Sequence, residues 1–379
     1  MHKSVVIAGY VRSPFHFAKK GELTRARPDE LAAQVVRGLL DKTGIDPAGI
    51  EDLIVGCAFP EGEQGLNVAR LIGFLADLPL SVAGATVNRF CGSSMQAIHM
   101  AAGAIQMDAG DAFICAGVES MSRVPLAGFN PMLHPGLAER FPQAYVSMGE
   151  TAENVAGKYK IPRQRQEELA VESHRRAAAA QQAGKFTDEI VPIRLGNRTV
   201  DADGCIRSGT DAKALADLAP AFKTDGSVTA GTSSPLTDGA AAVLVTTEDY
   251  AKANGLTPLA RLRAIAVAGC APEIMGIGPV AASHKALERA GLKIDDIDVV
   301  ELNEAFAAQA LACIDELKLD PSKINLDGGA IALGHPLGAT GARITGKAAQ
   351  LLQREGKSLA LATQCIGGGQ GIATILEAA

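Results

Sequence analysis

Two stretches of this sequence repeat one order of elements, and this repetition restricts the fold more than any other feature. In the first, Cys91 is followed by a helix rich in glycine and alanine and then by the apolar run Ala112–Ala116. In the second, His335 is followed by a helical pattern over 338–354 and then by the apolar run Ser358–Thr363. Apolar residues three and four positions apart indicate helices, and short continuous apolar runs indicate strands buried on both faces. The pattern predicts two α/β halves of related plan.

The chain between these stretches differs in composition. It contains a segment rich in proline and glycine, a polar helix-rich segment with a break at Pro162, and an irregular charged segment. Inserted segments of this kind often form the entrance to a substrate site. We therefore predict an N-terminal half formed by 1–120 plus about 240–262, an inserted loop domain at 121–239, and a C-terminal half at 263–379.

Composition limits which binding partners and which cellular locations are expected. The chain has 379 residues, 47% of them hydrophobic, and a net charge of −6 without a long basic run, so nucleic acid is not an expected partner. Its seven cysteines form no Cys-x-x-Cys pair, which favours reduced thiols over a zinc or disulfide framework. The N-terminal apolar run is too short for a signal peptide, and no apolar stretch is long enough to span a bilayer. We expect a cytoplasmic protein without a membrane span.

Four segments place reactive or polar side chains beside glycine or at an element boundary. A cysteine at a helix start meets free N–H groups and partial positive charge, which lower the pKa of a thiol. Histidine is the usual base for activating a thiol, and a glycine turn can present N–H groups to an oxyanion. The segments are Asn88–Met95 around Cys91, Gly328–Gly341 around His335, Gln364–Gly371 around Cys365, and Glu301–Ala307 around Asn303.

Each segment taken alone has a structural alternative. An isolated cysteine is more often a packed core residue, and His335 fits equally well as a structural histidine in a tight turn. Glu304 is a second candidate for chemistry, although a carboxylate at a helix start more often stabilises the helix. The five cysteines outside the four segments are interpreted as packing residues.

In combination, the segments resemble the thiolase family over nearly the whole chain. The resemblance rests on the motifs Cys91-Gly-Ser-Ser, Asn303-Glu-Ala-Phe, Gly334-His335-Pro, Cys365-Ile-Gly-Gly-Gly and Val118-Glu-Ser-Met-Ser. It implies an α/β fold of five layers, α-β-α-β-α, made of two pseudo-repeated halves with an inserted loop domain. It also implies a homodimer or homotetramer, and a subunit of fatty-acid β-oxidation as a further class of partner.

The same resemblance implies an activity and a role for each residue. The chain is expected to interconvert 3-oxoacyl-CoA plus CoA with acetyl-CoA plus a shortened acyl-CoA. Cys91 would form the acyl-enzyme, His335 would take its proton, and Cys365 would exchange a proton with the α-carbon. Asn303 would hold a water at one oxyanion site, and Gly367 would donate an N–H at the other. Coenzyme A is then substrate and product, and neither a metal nor another cofactor is expected.

Further positions match family residues around CoA and the acyl chain. Ser234 matches a position near the pantetheine arm, and Arg207 is a candidate for the nucleotide end. Ordinary core packing explains the apolar members equally well. The acyl-pocket candidates are Met148, Met275, Ala305 and Phe306.

Three rival functions remain at this point. A strictly short-chain acetyl-CoA acetyltransferase shares the motifs, but such enzymes commonly carry His where Ser147 stands, so activity on longer chains is expected here. A decarboxylating ketoacyl synthase shares the fold and nucleophile but uses Cys with His and a second His or Asn, so a second reactive cysteine at position 365 favours a thiolase. A non-catalytic, lipid-binding protein of this type should have lost Cys91, His335 or Cys365, and all three are present.

Overall fold

The computed structural model describes residues 3–379, so the first two residues of the predicted N-terminal half lie outside the described residues. The strands of this range are β1 (Val5–Arg12), β2 (His16–Phe17), β3 (Asp52–Gly56), β4 (Ala83–Val87), β5 (Ala112–Ser120), β6 (Ile193–Leu195), β7 (Arg198–Val200), β8 (Thr237–Thr247), β9 (Ala260–Gly269), β10 (Val299–Leu302), β11 (Leu359–Ile366) and β12 (Gln370–Ala378).

The helices of the same range alternate with these strands in both halves. None of them combines the length and apolar character needed to cross a membrane. They are α1 (Pro28–Thr43), α2 (Val68–Leu75), α3 (Ser93–Gln106), α4 (Pro135–Arg140), α5 (Met148–Lys158), α6 (Arg163–Gln182), α7 (Ala212–Ala216), α8 (Glu248–Ala253), α9 (Gly278–Ala290), α10 (Ala307–Leu317), α11 (Ala330–Leu333) and α12 (Leu337–Glu355).

The N-terminal half-sheet has the strand order β4-β3-β5-β8-β1. Strand β3 is parallel to both β4 and β5, whereas β8 runs antiparallel between β5 and β1. Strands β5 and β8 are buried along their whole length, as expected where helices cover both faces. Val87, which ends β4 and leads to the Cys91 segment, pairs with Gly56 at the end of β3.

The C-terminal half-sheet has the strand order β9-β12-β11-β10. Strands β10 and β11 are parallel, and β12 runs antiparallel to both β11 and β9. The half-sheets meet where Val6 and Ile7 of β1 pair with Arg261 and Ala260 of β9. The two halves therefore share one hydrogen-bonded path of strands.

Helices form three layers separated by the two half-sheets. Helices α1 and α2 pack on the N-terminal half-sheet through residues such as Val36 and Ile72. Helices α3 and α12 share one apolar core with strands of both halves, through residues such as Ile98 and Ala348. Helices α9 and α10 pack on the other face of the C-terminal half-sheet, through residues such as Ala286. This arrangement confirms the predicted order of five layers.

The two central helices approach each other closely at their N-terminal ends. A Cβ atom on Gly341 of α12 would lie 2.3 Å from the backbone nitrogen of Met95 in α3, so no side chain fits there. The Ser94 hydroxyl accepts a hydrogen bond from the Ala342 N–H at 2.8 Å. Each helix begins just after the reactive residue of its half, and their contact therefore brings the two reactive segments together.

The chain between β5 and β8 contains α4 to α7 and the small β6–β7 hairpin. The predicted break at Pro162 is confirmed, since α5 ends at Lys158 and α6 begins at Arg163. The proline- and glycine-rich segment of the predicted loop domain contains the short helix α4, and proline at the first helical position favours such a turn.

Two of the predicted domain boundaries fall within strands, and the third, after residue 120, coincides with the end of β5. Strand β8 begins at Thr237, before the predicted end of the insertion at 239, and β9 runs from Ala260 across the predicted boundary after 262. Both strands continue beyond the positions at which composition changes, because pairing with neighbouring strands, not composition, sets their ends.

Candidate active site

Cys91 lies in a tight turn between β4 and α3. The preceding residue, Phe90, has φ of 42°, a conformation that costs a non-glycine residue about 1–3 kcal/mol. The Ser93 hydroxyl holds the turn, because it accepts from the Arg89 N–H at 2.9 Å and donates to the Phe90 carbonyl at 2.6 Å. The Asn88 side chain accepts from the Phe90 N–H at 2.8 Å. These hydrogen bonds fix the thiol just before the first turn of α3.

The Cys91 thiol stays protonated near neutral pH. Burial raises its pKa to about 11, although hydrogen bonds from the Gly367 N–H and from its own N–H act in the opposite direction. The nearby Glu119 carboxylate raises this pKa further. The expectation of a lowered thiol pKa is therefore wrong, because lost hydration outweighs the N–H groups. Deprotonation of Cys91 requires a base at the site.

His335 lies buried in the loop between α11 and α12. Its Nδ1 is 2.6 Å from the Thr340 hydroxyl oxygen, and that hydroxyl donates to the Pro336 carbonyl at 3.0 Å. This network assigns the ring hydrogen to Nδ1 and leaves a free electron pair on Nε2, which is 3.4 Å from Asn303 Nδ2. Burial, and to a lesser extent Arg343, lowers the pKa of His335 to about 3. The ring is thus neutral at physiological pH and able to accept a proton.

Asn303 and Cys365 lie at the carboxyl ends of the parallel neighbours β10 and β11. Their strands are in register through Leu302 and Thr363, and the Asn303 N–H donates to the Thr363 carbonyl at 3.0 Å. The Asn303 side chain is fully buried, and its Oδ1 has no hydrogen-bond partner among the described residues. Buried polar atoms are normally hydrogen-bonded, so this oxygen is available to a water or substrate.

Cys365 belongs to the same site as Cys91. The Gln364 side-chain amide donates to the Cys91 carbonyl, and Cys91 is close enough to influence the pKa of Cys365. Burial, and next the neighbouring Cys91, raises the pKa of Cys365 well above its usual value. The turn after Cys365 has φ of 78° at Gly368 and 81° at Gly369, which favours glycine, and it directs the preceding N–H to the Cys91 sulfur.

The four acyl-pocket candidates pack in one apolar cluster with Cys365. Three of them are buried, and Met148 is partly buried at the edge of the cluster. A Cβ atom on Gly367 would lie 3.4 Å from the Met148 sulfur, so this side chain flanks the turn that contacts Cys91. The four are Met148, Met275, Ala305 and Phe306.

The two predicted CoA contacts differ in their surroundings. The backbone N–H and the hydroxyl of Ser234 both donate to the Ala305 carbonyl at 2.9 Å, which joins Ser234 to the apolar cluster. Its hydroxyl oxygen remains free to accept from an amide such as those of pantetheine. Arg207 is exposed outside this cluster, with its guanidinium 5.0 Å from the centre of the Phe17 ring. Its contact with the nucleotide end stays a prediction.

Sequence reasoning missed Phe222 as a neighbour of the acyl-pocket candidates. This ring is 41% exposed and packs edge-on against Phe306, with the centroids 5.9 Å apart. It also lies against Gly149, where any Cβ atom would clash with it. The segment around it has no periodicity, so its short distance along the chain from Ser234 was the only available signal.

Glu304 has a different role from the two that the sequence suggested. Its buried carboxylate accepts from the Ser173 hydroxyl at 2.7 Å, the Asn325 amide at 2.8 Å and the Ile331 N–H at 3.2 Å. It therefore stabilises the start of α11, which leads to His335, and not the helix that follows Glu304 in sequence.

The chain matches one family along almost its whole length. Residues 5–249 match the thiolase N-terminal domain and residues 256–378 match the thiolase C-terminal domain. The 3-ketoacyl-CoA thiolase of Bacillus subtilis is 47% identical, with 100% of both chains covered. The enzyme of the same name from Aeromonas hydrophila is 49% identical, with 99% of both chains covered.

Solved structures agree with these matches. Human mitochondrial 3-ketoacyl-CoA thiolase in complex with CoA has a TM-score of 0.92 at 38% identity, covering 100% of this chain and 98% of that chain. The acetyl-CoA acetyltransferase of Bacillus anthracis has a TM-score of 0.92 at 39% identity, covering 100% of this chain and 99% of that chain. On the sequence motifs, the five layers and these matches, the chain belongs to the thiolase family.

Proposed function

We propose that this protein is an acyl-CoA C-acyltransferase that interconverts 3-oxoacyl-CoA plus CoA with acetyl-CoA plus a shortened acyl-CoA. The observation that carries the proposal is a buried site in which Cys365 lies beside Cys91 and the neutral His335 contacts Asn303, at the end of the strand next to that of Cys365. The relatives named 3-ketoacyl-CoA thiolase support it. The retained second cysteine favours it over a decarboxylating synthase, and the complete set of reactive residues favours it over a lipid-binding protein.

The first half-reaction cleaves a carbon–carbon bond. His335 Nε2 accepts the Cys91 proton as the sulfur attacks the 3-oxo carbon of the substrate. The bond between C2 and C3 then breaks, the acyl group stays on Cys91, and acetyl-CoA leaves as an enolate that takes a proton from Cys365. The enolate oxygen is stabilised by His335 and by a water held at Asn303.

The second half-reaction returns the acyl group to coenzyme A. Cys365, now a thiolate, takes the proton of the incoming CoA thiol, and the CoA sulfur attacks the thioester carbon on Cys91. The oxyanion of this tetrahedral intermediate is stabilised by the N–H groups of Cys91 and Gly367, the two backbone groups that lower the pKa of the Cys91 thiol. Cys91 leaves and recovers its proton from His335. In this scheme CoA is the only co-substrate, and every proton moves between named groups.

The direct test is thiolysis with purified protein. Acetoacetyl-CoA and CoA should be consumed in equal amounts, with two acetyl-CoA formed for each acetoacetyl-CoA. Formation of free acids without consumption of CoA would indicate a hydrolase and contradict the proposal.

We further propose activity on medium-chain substrates. Ser147 is exposed and caps α5, because its hydroxyl accepts from the Glu150 N–H and donates to the Glu150 carboxylate at 2.7 Å. It therefore adds no bulk beside the flexible side chain of Met148, and each further buried CH₂ of an acyl chain contributes about 0.8 kcal/mol. We expect kcat/KM for 3-oxooctanoyl-CoA to be at least comparable with that for acetoacetyl-CoA.

A pair of variants at Ser147 separates pocket width from loss of the helix cap. Ser147→His should lower the ratio of kcat/KM for 3-oxooctanoyl-CoA to kcat/KM for acetoacetyl-CoA. Ser147→Ala, which also removes the cap, should leave this ratio unchanged. Wild-type activity confined to the four-carbon substrate would assign the protein to the acetyl-CoA acetyltransferases. Both kinds of enzyme occur among proteins of this fold.

We also propose a homodimer or homotetramer in the cytoplasm. Strand β4 forms one edge of the strand path, and its residues are half-buried or exposed. An open edge of this kind pairs readily with another strand. Helix α3, which follows it, exposes Met100 by 41%, and Met107 just beyond its end is 79% exposed. Light scattering should give at least twice the mass of one chain, and a single-chain mass would contradict the proposal. A β-oxidation partner subunit stays a prediction.

A further inference from the structure

Glu119 is a buried carboxylate that accepts hydrogen bonds from several parts of the chain. It is 1% exposed and lies near the end of β5. Its Oε2 accepts from the N–H groups of Ala58 at 2.8 Å and Gly338 at 2.9 Å. Its Oε1 accepts from the Gln64 amide at 2.8 Å and the Phe59 N–H at 3.3 Å. A fifth and longer contact comes from the Cys57 thiol at 3.8 Å. All five partners donate, so the geometry fits an ionised carboxylate. The four shorter hydrogen bonds oppose the burial that raises the pKa of Glu119.

One of these hydrogen bonds reaches the helix that follows His335. Gly338 is the second residue of α12, so the carboxylate lies at a helix N-terminus, where N–H groups and the helix dipole favour negative charge. The approach is very close, since a Cβ atom on Gly338 would lie 2.4 Å from the Val118 carbonyl oxygen. The carboxylate therefore fixes the first turn of α12 against β5.

The other hydrogen bonds act on the turn that carries Cys91 through an intervening loop. They hold the loop after β3, and the carbonyl of Ala58 in this loop accepts from the Asn88 side-chain amide at 3.0 Å. The same Asn88 side chain accepts from the Phe90 N–H and so shapes the turn before Cys91. Glu119 thus connects the reactive turn of the N-terminal half with the reactive helix of the C-terminal half.

We propose that Glu119 is a positioning residue that holds the Cys91 turn and the helix after His335 in the relative position that the reaction requires. It also places a negative charge beside the Cys91 thiol. This charge disfavours the Cys91 thiolate at rest, and it is one cause, after burial, of the raised pKa of that thiol. The other titratable groups at the site are His335, from the loop before α12, Cys365, from β11, and Cys57, just after the end of β3, whose thiol contacts Glu119. The resting nucleophile is thereby kept from reacting with other electrophiles until His335 takes its proton.

Two substitutions separate position from charge. Glu119→Gln removes the charge and places an NH₂ group against N–H donors, whereas Glu119→Asp keeps the charge but shortens the reach by one CH₂. Val36→Ala, in the outer helix α1, is the control for a loss of stability distant from the site. For each variant the melting temperature, the kcat and KM of thiolysis, and the pH dependence of Cys91 alkylation by iodoacetamide would be measured.

We expect kcat to fall by about 10- to 100-fold in both Glu119 variants, with a much smaller change in KM for CoA. The midpoint pH of alkylation should fall by roughly one unit in Glu119→Gln and stay near the wild-type value in Glu119→Asp and Val36→Ala. The activity measurement rests on the proposed reaction, but the alkylation measurement needs no substrate.

Wild-type kcat in Glu119→Asp would overturn the positioning role, and so would an equal loss of kcat in Val36→Ala at the same melting temperature. An unshifted alkylation midpoint in Glu119→Gln would overturn the effect of the charge. If Glu119→Gln does not fold, Glu119→Asp still decides the positioning role.

Discussion

Replacing Cys91 by alanine is expected to lower the rate of thiolysis by about 10⁴-fold or more. The acyl-enzyme route depends on this sulfur, which the Gly367 N–H approaches. The neutral His335 and the oxyanion donors would remain in place, but the site would lack a nucleophile. Initial rates with acetoacetyl-CoA and CoA measure the loss.

The same prediction has a covalent readout. Wild-type protein incubated with acetyl-CoA and digested should carry one acetyl group on the peptide that contains Cys91, and Cys91→Ala should carry none. Cys205→Ala, which removes a buried thiol of the inserted segment, is the matched control and should keep both activity and label. An acetyl group on Cys365 with none on Cys91 would reverse the assignment of the nucleophile.

The sequence predicts where the proposed reacting groups lie in the fold, because each of them is next to a strand or helix end. Cys91 and His335 precede helices with clear periodicity, and Asn303 and Cys365 lie at the ends of two apolar strands. Once the fold places α3 and α12 side by side, these local positions determine where the groups meet. Family motifs then supply the roles, and the structure supplies the distances.

The acidity of Cys91 could not be predicted in the same way. A helix start lowers the pKa of a thiol, but burial raises it, and burial depends on packing between the two halves. The role of Glu119 was hidden for a related reason, because its partner Gly338 is 219 residues away in the chain. Glu304 shows the same limit, since it stabilises a helix start that is remote in sequence and not the one beside it.

Replacing Cys365 by alanine is expected to lower the rate of condensation of acetyl-CoA by about 10³-fold or more, while acetyl-Cys91 still forms. Removal of a proton from the α-carbon needs a base at that carbon, and Cys365 is the group proposed for this task. Transfer of the acetyl group to Cys91 needs only the departure of the CoA sulfur, which is a stable anion because a thiol pKa is ordinarily about 8.5. The substitution should therefore separate the two half-reactions.

Three measurements on Cys365→Ala follow this separation. Mass spectrometry should detect acetyl-Cys91, exchange of deuterium from D₂O into the acetyl group of acetyl-CoA should be lost, and acetoacetyl-CoA should not accumulate. Cys313→Ala is the matched control, since this buried thiol lies near enough to influence the pKa of Cys365 but takes part in no proposed step of the reaction. Condensation or deuterium exchange near the wild-type rate in Cys365→Ala would show that another group moves the α-proton. The best remaining candidate would then be His335, whose Nε2 is already unprotonated at rest.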